Sequence, residues 1–275
     1  MDLSILITTR NSDRYINRCL DSIFNQEFDK EYEVIIVDCN SDDLTLDILK
    51  DYEEKFNPAI NLSNEENQIE NEIDKKIKVI SGNTTNLAKA ANKGLSECKG
   101  SFIVKLDPCY MLDDKTLNEM FNFLSENSDY DVCLAHVNGK LIFKNVSHDP
   151  HDIDAVIKKF IQPEMLYCLM YKNNLDITYN EFYSDIEDYK FLLDAIHNNK
   201  KIRCIGKNRI RYVNRDHSSL NDRLLKVNRL SKNVRKVNNQ NKLNDKNERR
   251  SNQHINHLNR RNQSSHIFNK SKNNQ

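Results

Sequence analysis

Four short runs of β-forming residues constrain this chain more than any other feature in it. They are Leu3–Thr9, Glu33–Asp38, Ile77–Ser81 and Phe102–Leu106, each rich in Ile, Val and Leu and each bounded by polar residues. Between them, apolar residues recur at helical spacing. Tyr15, Ile16, Cys19, Leu20, Ile23 and Phe24 form one such set, Leu44, Leu46, Ile48 and Leu49 a second, and Leu87, Ala88, Ala91 and Leu95 a third. Strands that alternate with helices predict right-handed crossovers and a parallel sheet. In open sheets of this kind, ligands bind beyond the carboxyl ends of the strands. Two of the runs end on an acid, Asp38 and Asp107, and Pro108 closes the second because it has no N–H to donate to a ladder. An acid there is placed for chemistry; a turn-forming Asp before Pro accounts for Asp107 equally well.

The intervening segments fit the same plan. Ser12 or Asp13 is the expected cap of the first helix, which runs to Gln26, and Cys39–Asp43 a turn and cap for a second helix that ends near Phe56. Asn57–Lys76, rich in Asn and Glu, reads as a surface insertion. A third helix is expected over Thr84–Cys98. Asp113 is expected to cap a fourth over Asp114–Ser125, and helix capping explains Asp113 and Asp114 better than catalysis does. Asn138-Gly139 between two β runs within Asp131–Lys144 predicts a hairpin, so the sheet turns antiparallel there, with His136 a strand residue. A helix and a strand follow in 151–171. An amphipathic helix over Tyr183–Asn198 starts on Asp185, Glu187 and Asp188, and Ile202–Val213 reads as two short strands.

Charge divides the chain. Residues 1–220 hold 27 Lys/Arg and 38 Asp/Glu, a net of −11, and residues 221–275 hold 14 and 3, a net of +11. Asn supplies 15 of those last 55 residues, which predicts a short helical start followed by a solvated, low-complexity tail. The expected organisation is therefore one α/β domain over 1–220 and a basic Asn-rich tail over 221–275. The tail lacks an RNA-binding motif, which argues against specific nucleic-acid recognition and leaves peripheral contact with anionic surfaces. No apolar stretch approaches the roughly 20 residues of a membrane span, and the start lacks a signal-peptide pattern. Seven dispersed cysteines without a CxxC pair predict reduced thiols, a cytoplasmic location and no structural zinc.

Several segments together resemble the family 2 glycosyltransferases. S-I-L-I-T-T-R-N-S-D-R-Y-I-N-R-C-L-D resembles their opening, and V-I-I-V-D-C-N-S-D-D resembles their second strand and nucleotide loop. N-L-A-K-A-A-N-K-G-L-S-E-C-K-G-S-F-I-V-K-L-D resembles the approach to their metal motif. D-I-E-D-Y-K-F-L-L-D-A resembles the helix that bears their catalytic acid, and Y-V-N-R-D-H-S-S-L their closing segment. The resemblance covers about residues 1–220. It implies the GT-A fold, a mixed, mostly parallel sheet flanked by helices. It further implies inverting transfer from a nucleotide-sugar donor, UDP-linked by expectation, to a hydroxyl on an acceptor sugar, lipid or protein.

The roles it implies fall on individual residues. Thr8, Thr9 and Arg10 stand where the end of the first strand meets the nucleotide. Asp38 stands in the loop that recognises base and ribose. Asp107 matches the first acid of the Asp-X-Asp motif, which faces the ribose and diphosphate and belongs to the metal site. Asp188 matches the general base, with Glu187 beside it on the substrate side, and His217 matches a late residue near the diphosphate or metal. The implied cofactor is a divalent cation, Mn²⁺ or Mg²⁺, whose charge offsets that of the leaving diphosphate.

The departures from the family pattern bear on the same site. The second metal-motif acid falls on Cys109 and the following one on Tyr110, while the second nucleotide-loop acid falls on Cys39. Thiols suit hard cations poorly. The sequence thus leaves open a metal-independent transferase, an unusual donor, or a catalytically inactive GT-A-like protein that serves as partner or scaffold.

Overall fold

In the computed structural model of the chain, which describes residues 1–57, 76–137, 168–184 and 186–212, β1 (Leu3–Thr9) and β2 (Tyr32–Asp38) are buried at every position. A strand shows that pattern when helices cover both faces of its sheet. β3 (Lys76–Ser81) buries only Ile77 fully and leaves its other residues exposed or half-buried, because it lies at an edge. β4 (Phe102–Leu106) pairs parallel to β1, and β5 (Tyr110–Leu112) follows it after Pro108. β6 (Val132–Val137), β7 (Cys168–Lys172) and β8 (Ile202–Tyr212) complete an eight-stranded sheet in the order β3-β2-β1-β4-β7-β6-β8-β5. The β3-β2-β1-β4 half is parallel, and β7 is antiparallel to both β4 and β6. This is the mixed, mostly parallel sheet that the sequence predicts.

Helices cover both faces. α1 (Ile16–Phe24) buries Ile16, Cys19, Leu20, Ile23 and Phe24 in the main core with Leu3, Ile5, Ile7, Val34, Ile36, Val104 and Leu106. Phe24 stacks on Phe56 at 3.7 Å between ring centroids, which joins α1 to α2 (Thr45–Phe56). On the opposite face α3 (Leu87–Leu95) approaches β1 and β2 through Gly94, where a Cβ would lie 2.3 Å from Leu6 Cδ1 and 2.9 Å from Val37 Cγ2. α4 (Thr116–Glu126) packs on the α1 side, and α5 (Glu187–His197) follows a 3₁₀ turn over Glu181–Tyr183.

The structure corrects several local expectations. Neither Ser12 nor Asp13 caps α1 with a side chain; the Ser12 carbonyl accepts the Tyr15 and Ile16 N–H groups instead. Asp113 is not a side-chain cap of α4. Its carboxylate accepts Arg211 Nε at 2.8 Å, and only its carbonyl meets the Thr116 N–H. β5 is a strand of three residues, too short to show a period, that exists because β8 pairs with it. The two runs expected over Ile202–Val213 are one strand, with a register shift against β6 between Ala135 and Val137. Lys76 opens β3, and Asn57 bonds Ile77 through both its amide atoms, so the expected insertion is shorter at each end. The rest of that insertion, the Asn138-Gly139 turn with the run after it, the helix expected after residue 151, His217 and the tail from Asn221 lie outside the described residues.

Candidate active site

The order β2-β1-β4 makes β1 the point from which the chain winds outward in both directions, and in open sheets of this kind ligands bind beyond the carboxyl ends of the strands at such a point. Thr9 pairs with Asp38 across β1 and β2, and Ile7 pairs with Leu106 across β1 and β4. Thr8, Thr9, Asp38 and Asp107 are thereby carried to one edge, and all four are buried. Arg10 follows Thr9 and is exposed. The Thr9 hydroxyl is buried without a hydrogen-bond partner among the described residues, a cost that a bound polar ligand would relieve.

Two loops form one wall. Asn11 Nδ2 donates to Asp42 Oδ1 at 2.6 Å, and the Asp42 N–H returns a bond to Asn11 Oδ1 at 3.0 Å. The Ser12 N–H donates to Thr45 Oγ1 and the Asp13 N–H to Asp43 Oδ2. Asn11 and Asn40 adopt left-handed backbone, φ 52° and 56°, which Asn tolerates better than most residues. Within the second loop the Asp38 carboxylate accepts both the N–H and the hydroxyl of Ser41. Asp38 therefore shapes the loop that follows β2.

Asp107 and Cys109 are hydrogen-bonded to each other. Asp107 Oδ1 accepts the Cys109 N–H at 3.0 Å and the Cys109 thiol at 2.7 Å. A sulfur so engaged is a soft and poorly placed ligand for a hard cation. Among the described residues no group of three His, Cys, Asp or Glu side chains is disposed to hold a metal ion.

The opposite wall is the start of α5. Glu187 and Asp188 occupy its first turn, where the helix dipole favours negative charge, and both are buried. Lys105 Nζ lies 3.7 Å from Asp188 Oδ2, and its side chain is only 1% exposed. Sequence reasoning assigned Lys105 no role. Its signal was a lone charge inside the buried run F-I-V-K-L, since lysine is almost never buried without a partner. Behind Asp188, the Tyr171 and Tyr179 hydroxyls lie 3.2 Å apart, and Phe191 packs on both rings.

Electrostatics links the walls. Burial first, and then the charge of Asp38, pushes the Cys39 thiol up to about 12; Glu187 adds to this, while Lys105 and Arg10 oppose it. Burial, followed by the Asp188 charge, pushes Cys168 up to about 12 as well. Arg10, Asp38, Lys105, Glu187 and Asp188 thus share one neighbourhood, whereas His217 lies outside the described residues. A thiol with a pKa near 12 is ionised at pH 8 to only about one part in ten thousand. Peptide mapping after iodoacetamide at pH 8 is therefore expected to find Cys39 and Cys168 unlabelled in the folded chain and labelled once it is unfolded. Fast native labelling of Cys39 would show that the loop opens.

The family model described as Glycosyl transferase family 2 matches residues 4–177. A poly(ribitol-phosphate) beta-glucosyltransferase of Bacillus spizizenii is 29% identical over 210 residues, which is 74% of this chain and 30% of that relative. The chain thus spans about a third of the length of that relative. The crystal structure of S. aureus TarS in complex with UDP-GlcNAc superposes with a TM-score of 0.58 at 24% identity, covering 78% of this chain and 59% of the other. A mannosyltransferase of Pyrobaculum calidifontis, in complex with GDP-Man and Mn²⁺, also gives 0.58, at 14% identity over 78% of this chain and 57% of the other. At these identities the likeness to the two structures is one of fold.

Proposed function

The chain belongs to glycosyl transferase family 2, its fold is the GT-A fold, and from that premise we propose that residues 1–220 move a sugar, with inversion, from a nucleotide-sugar donor to an acceptor hydroxyl. The observation that carries the reading is the buried acid Asp188 at the start of α5, held against Lys105 of β4. In this reading Asp188 is the general base. Its carboxylate takes the proton of the acceptor hydroxyl as that oxygen attacks the anomeric carbon, and the bond to the nucleoside diphosphate breaks on the other face. Thr8, Thr9 and Arg10 bind the donor along the end of β1, and Asp38 orders the loop against the base and ribose. Asp107 borders the diphosphate and Glu187 borders the substrate beside the base. The donor is UDP-linked glucose or N-acetylglucosamine, which the relatives' names support. A polyol-phosphate polymer is the first acceptor to try, ahead of other sugar, lipid or protein hydroxyls.

A divalent cation, as found in the Pyrobaculum neighbour, fits the described residues poorly. Asp107 stands alone as an acid in the motif, and its Oδ1 already accepts two hydrogen bonds from Cys109. Cys109 offers a soft sulfur where a hard cation needs oxygen.

Thermal melting of the full chain with UDP and UDP-GlcNAc, each in Mn²⁺ and in EDTA, tests the reading. Ligand at a hundred times its dissociation constant adds about 2.7 kcal/mol, and the shift is expected to survive EDTA. A shift that needs Mn²⁺ would establish a working metal site despite Cys109. Absence of any shift would favour the second reading, a non-catalytic partner or scaffold, which the thiols at positions 39 and 109 support. Among the described residues no helix is long and apolar enough to cross a membrane. For the basic segment 221–275 we propose peripheral contact with anionic surfaces, without specific nucleic-acid binding.

A further inference from the structure

We propose that Lys105 is a positioning residue for Asp188, the tethered cation around which the acids of this site are arranged. The inference rests on the transferase reading above. In-register pairing sets Lys105 beside Leu6 of β1 and Leu169 of β7, and Leu6 points at Gly94 of α3. The lysine stem therefore leaves the sheet on the face that α3 covers, between two apolar neighbours. Its ammonium ends 3.7 Å from Asp188 Oδ2, with both side chains at most 4% exposed. Attraction between charges at that separation is weakly screened where water is excluded.

The same ammonium acts on Cys39, where the charges of Asp38 and Glu187 also act. Lys105 thus supplies a buried positive charge among carboxylates from β2 and α5, with the exposed Arg10 acting on the same neighbourhood. A bound cation would supply such a charge, but the pair Asp107 and Cys109 is badly suited to hold one. A covalently attached ammonium needs no ligand set and is present in every molecule.

Lys105 fixes the carboxylate from below, and the backbone fixes it from the side. The segment before α5 is tied to α3 by Asn92, whose side chain bonds both the N–H and the carbonyl of Tyr179. Asn86 Nδ2 reaches the Glu181 carbonyl, and the Leu87 N–H reaches Ser184 Oγ. The start of α5 is therefore anchored, and within it the ammonium selects one rotamer of Asp188. General-base catalysis depends on such placement, because a misplacement of about 1 Å can cost about 100-fold.

The test is UDP release from UDP-GlcNAc by the full chain with poly(ribitol phosphate) as acceptor, read as kcat and KM, in the parent, Lys105→Met, Lys105→Arg, Asp188→Asn and the Lys105→Met/Asp188→Asn double variant. Lys105→Met is expected to lower kcat about 100-fold with donor KM within about threefold. Lys105→Arg is expected to recover about tenfold of that loss, and the double variant to fall no further than Asp188→Asn alone. If Lys105→Met does not fold, the double variant, which removes both charges, and Lys105→Arg carry the comparison. A Lys105→Met kcat equal to the parent's overturns the inference. So does a raised KM at unchanged kcat, or an additive loss in the double variant. A parent without turnover overturns the transferase reading and this inference with it, whereas an active parent beside an equally active Lys105→Met overturns this inference alone.

Discussion

Asp188→Asn is expected to keep the donor-induced rise in melting temperature and to lose turnover by about 10²–10⁴-fold, the span that a positioned general base contributes. The amide has the size of the carboxylate and retains an oxygen toward Lys105, but it cannot take the proton of an acceptor hydroxyl. Because the pair is buried, its partner is left with less compensating charge, so the variant is also expected to melt lower than the parent. The donor shift is therefore measured against the variant's own unliganded melt. Lost turnover with retained binding separates a role in the chemical step from one in holding the nucleotide. Turnover equal to the parent's would remove Asp188 from the mechanism, and lost binding would move it to the donor side.

Gly100→Ala is expected to cost about 3 kcal/mol of stability, which lowers the melting temperature by about 10 °C. The residue precedes β4 where the chain crosses the start of β1. A Cβ there would lie 2.4 Å from Ser4 N and 2.5 Å from Leu3 C, backbone atoms that no rotamer change can move aside. The same spot holds a buried latch. The Gly100 N–H donates to Ser4 Oγ at 2.8 Å, that hydroxyl donates to Glu33 Oε1 at 2.7 Å, and the same carboxylate oxygen accepts the Lys99 N–H at 2.7 Å. Forcing β1 and β4 apart would break these bonds and leave Glu33 buried with fewer donors. Melting within about 2 °C of the parent would show that the strand start yields more easily than its geometry implies.

The elements were legible from local signals. Leu3–Thr9, Tyr32–Asp38 and Phe102–Leu106 are β-rich and buried on both sides, and that property lies in the identities of the residues themselves. The period of α1 and the acids in the first turn of α5 are equally local. The caps were less legible, because Ser, Asp and Asn satisfy backbone groups in several alternative ways and the sequence does not say which. Ser12 and Asp13 thus gave their N–H groups to the neighbouring loop, and Asp113 gave its carboxylate to Arg211, 98 residues away.

By itself, then, the sequence determined that strands and helices alternate, that acids stand where strands end, and that a cysteine stands within two residues of each of those acids, Cys39 after Asp38 and Cys109 after Asp107. Only the tertiary structure decided that Lys105 meets Asp188, that Asp107 is engaged by Cys109, and that Cys39 lies within the fields of Asp38, Glu187 and Lys105. The reason is physical. Periodicity and propensity act over one turn or one strand, so residue types record them directly. A contact between β4 and α5 depends on the sheet order, which places β7 beside β4 and so brings the later part of the chain back next to it. That order is chosen by the burial of the whole core, and no segment read alone contains it.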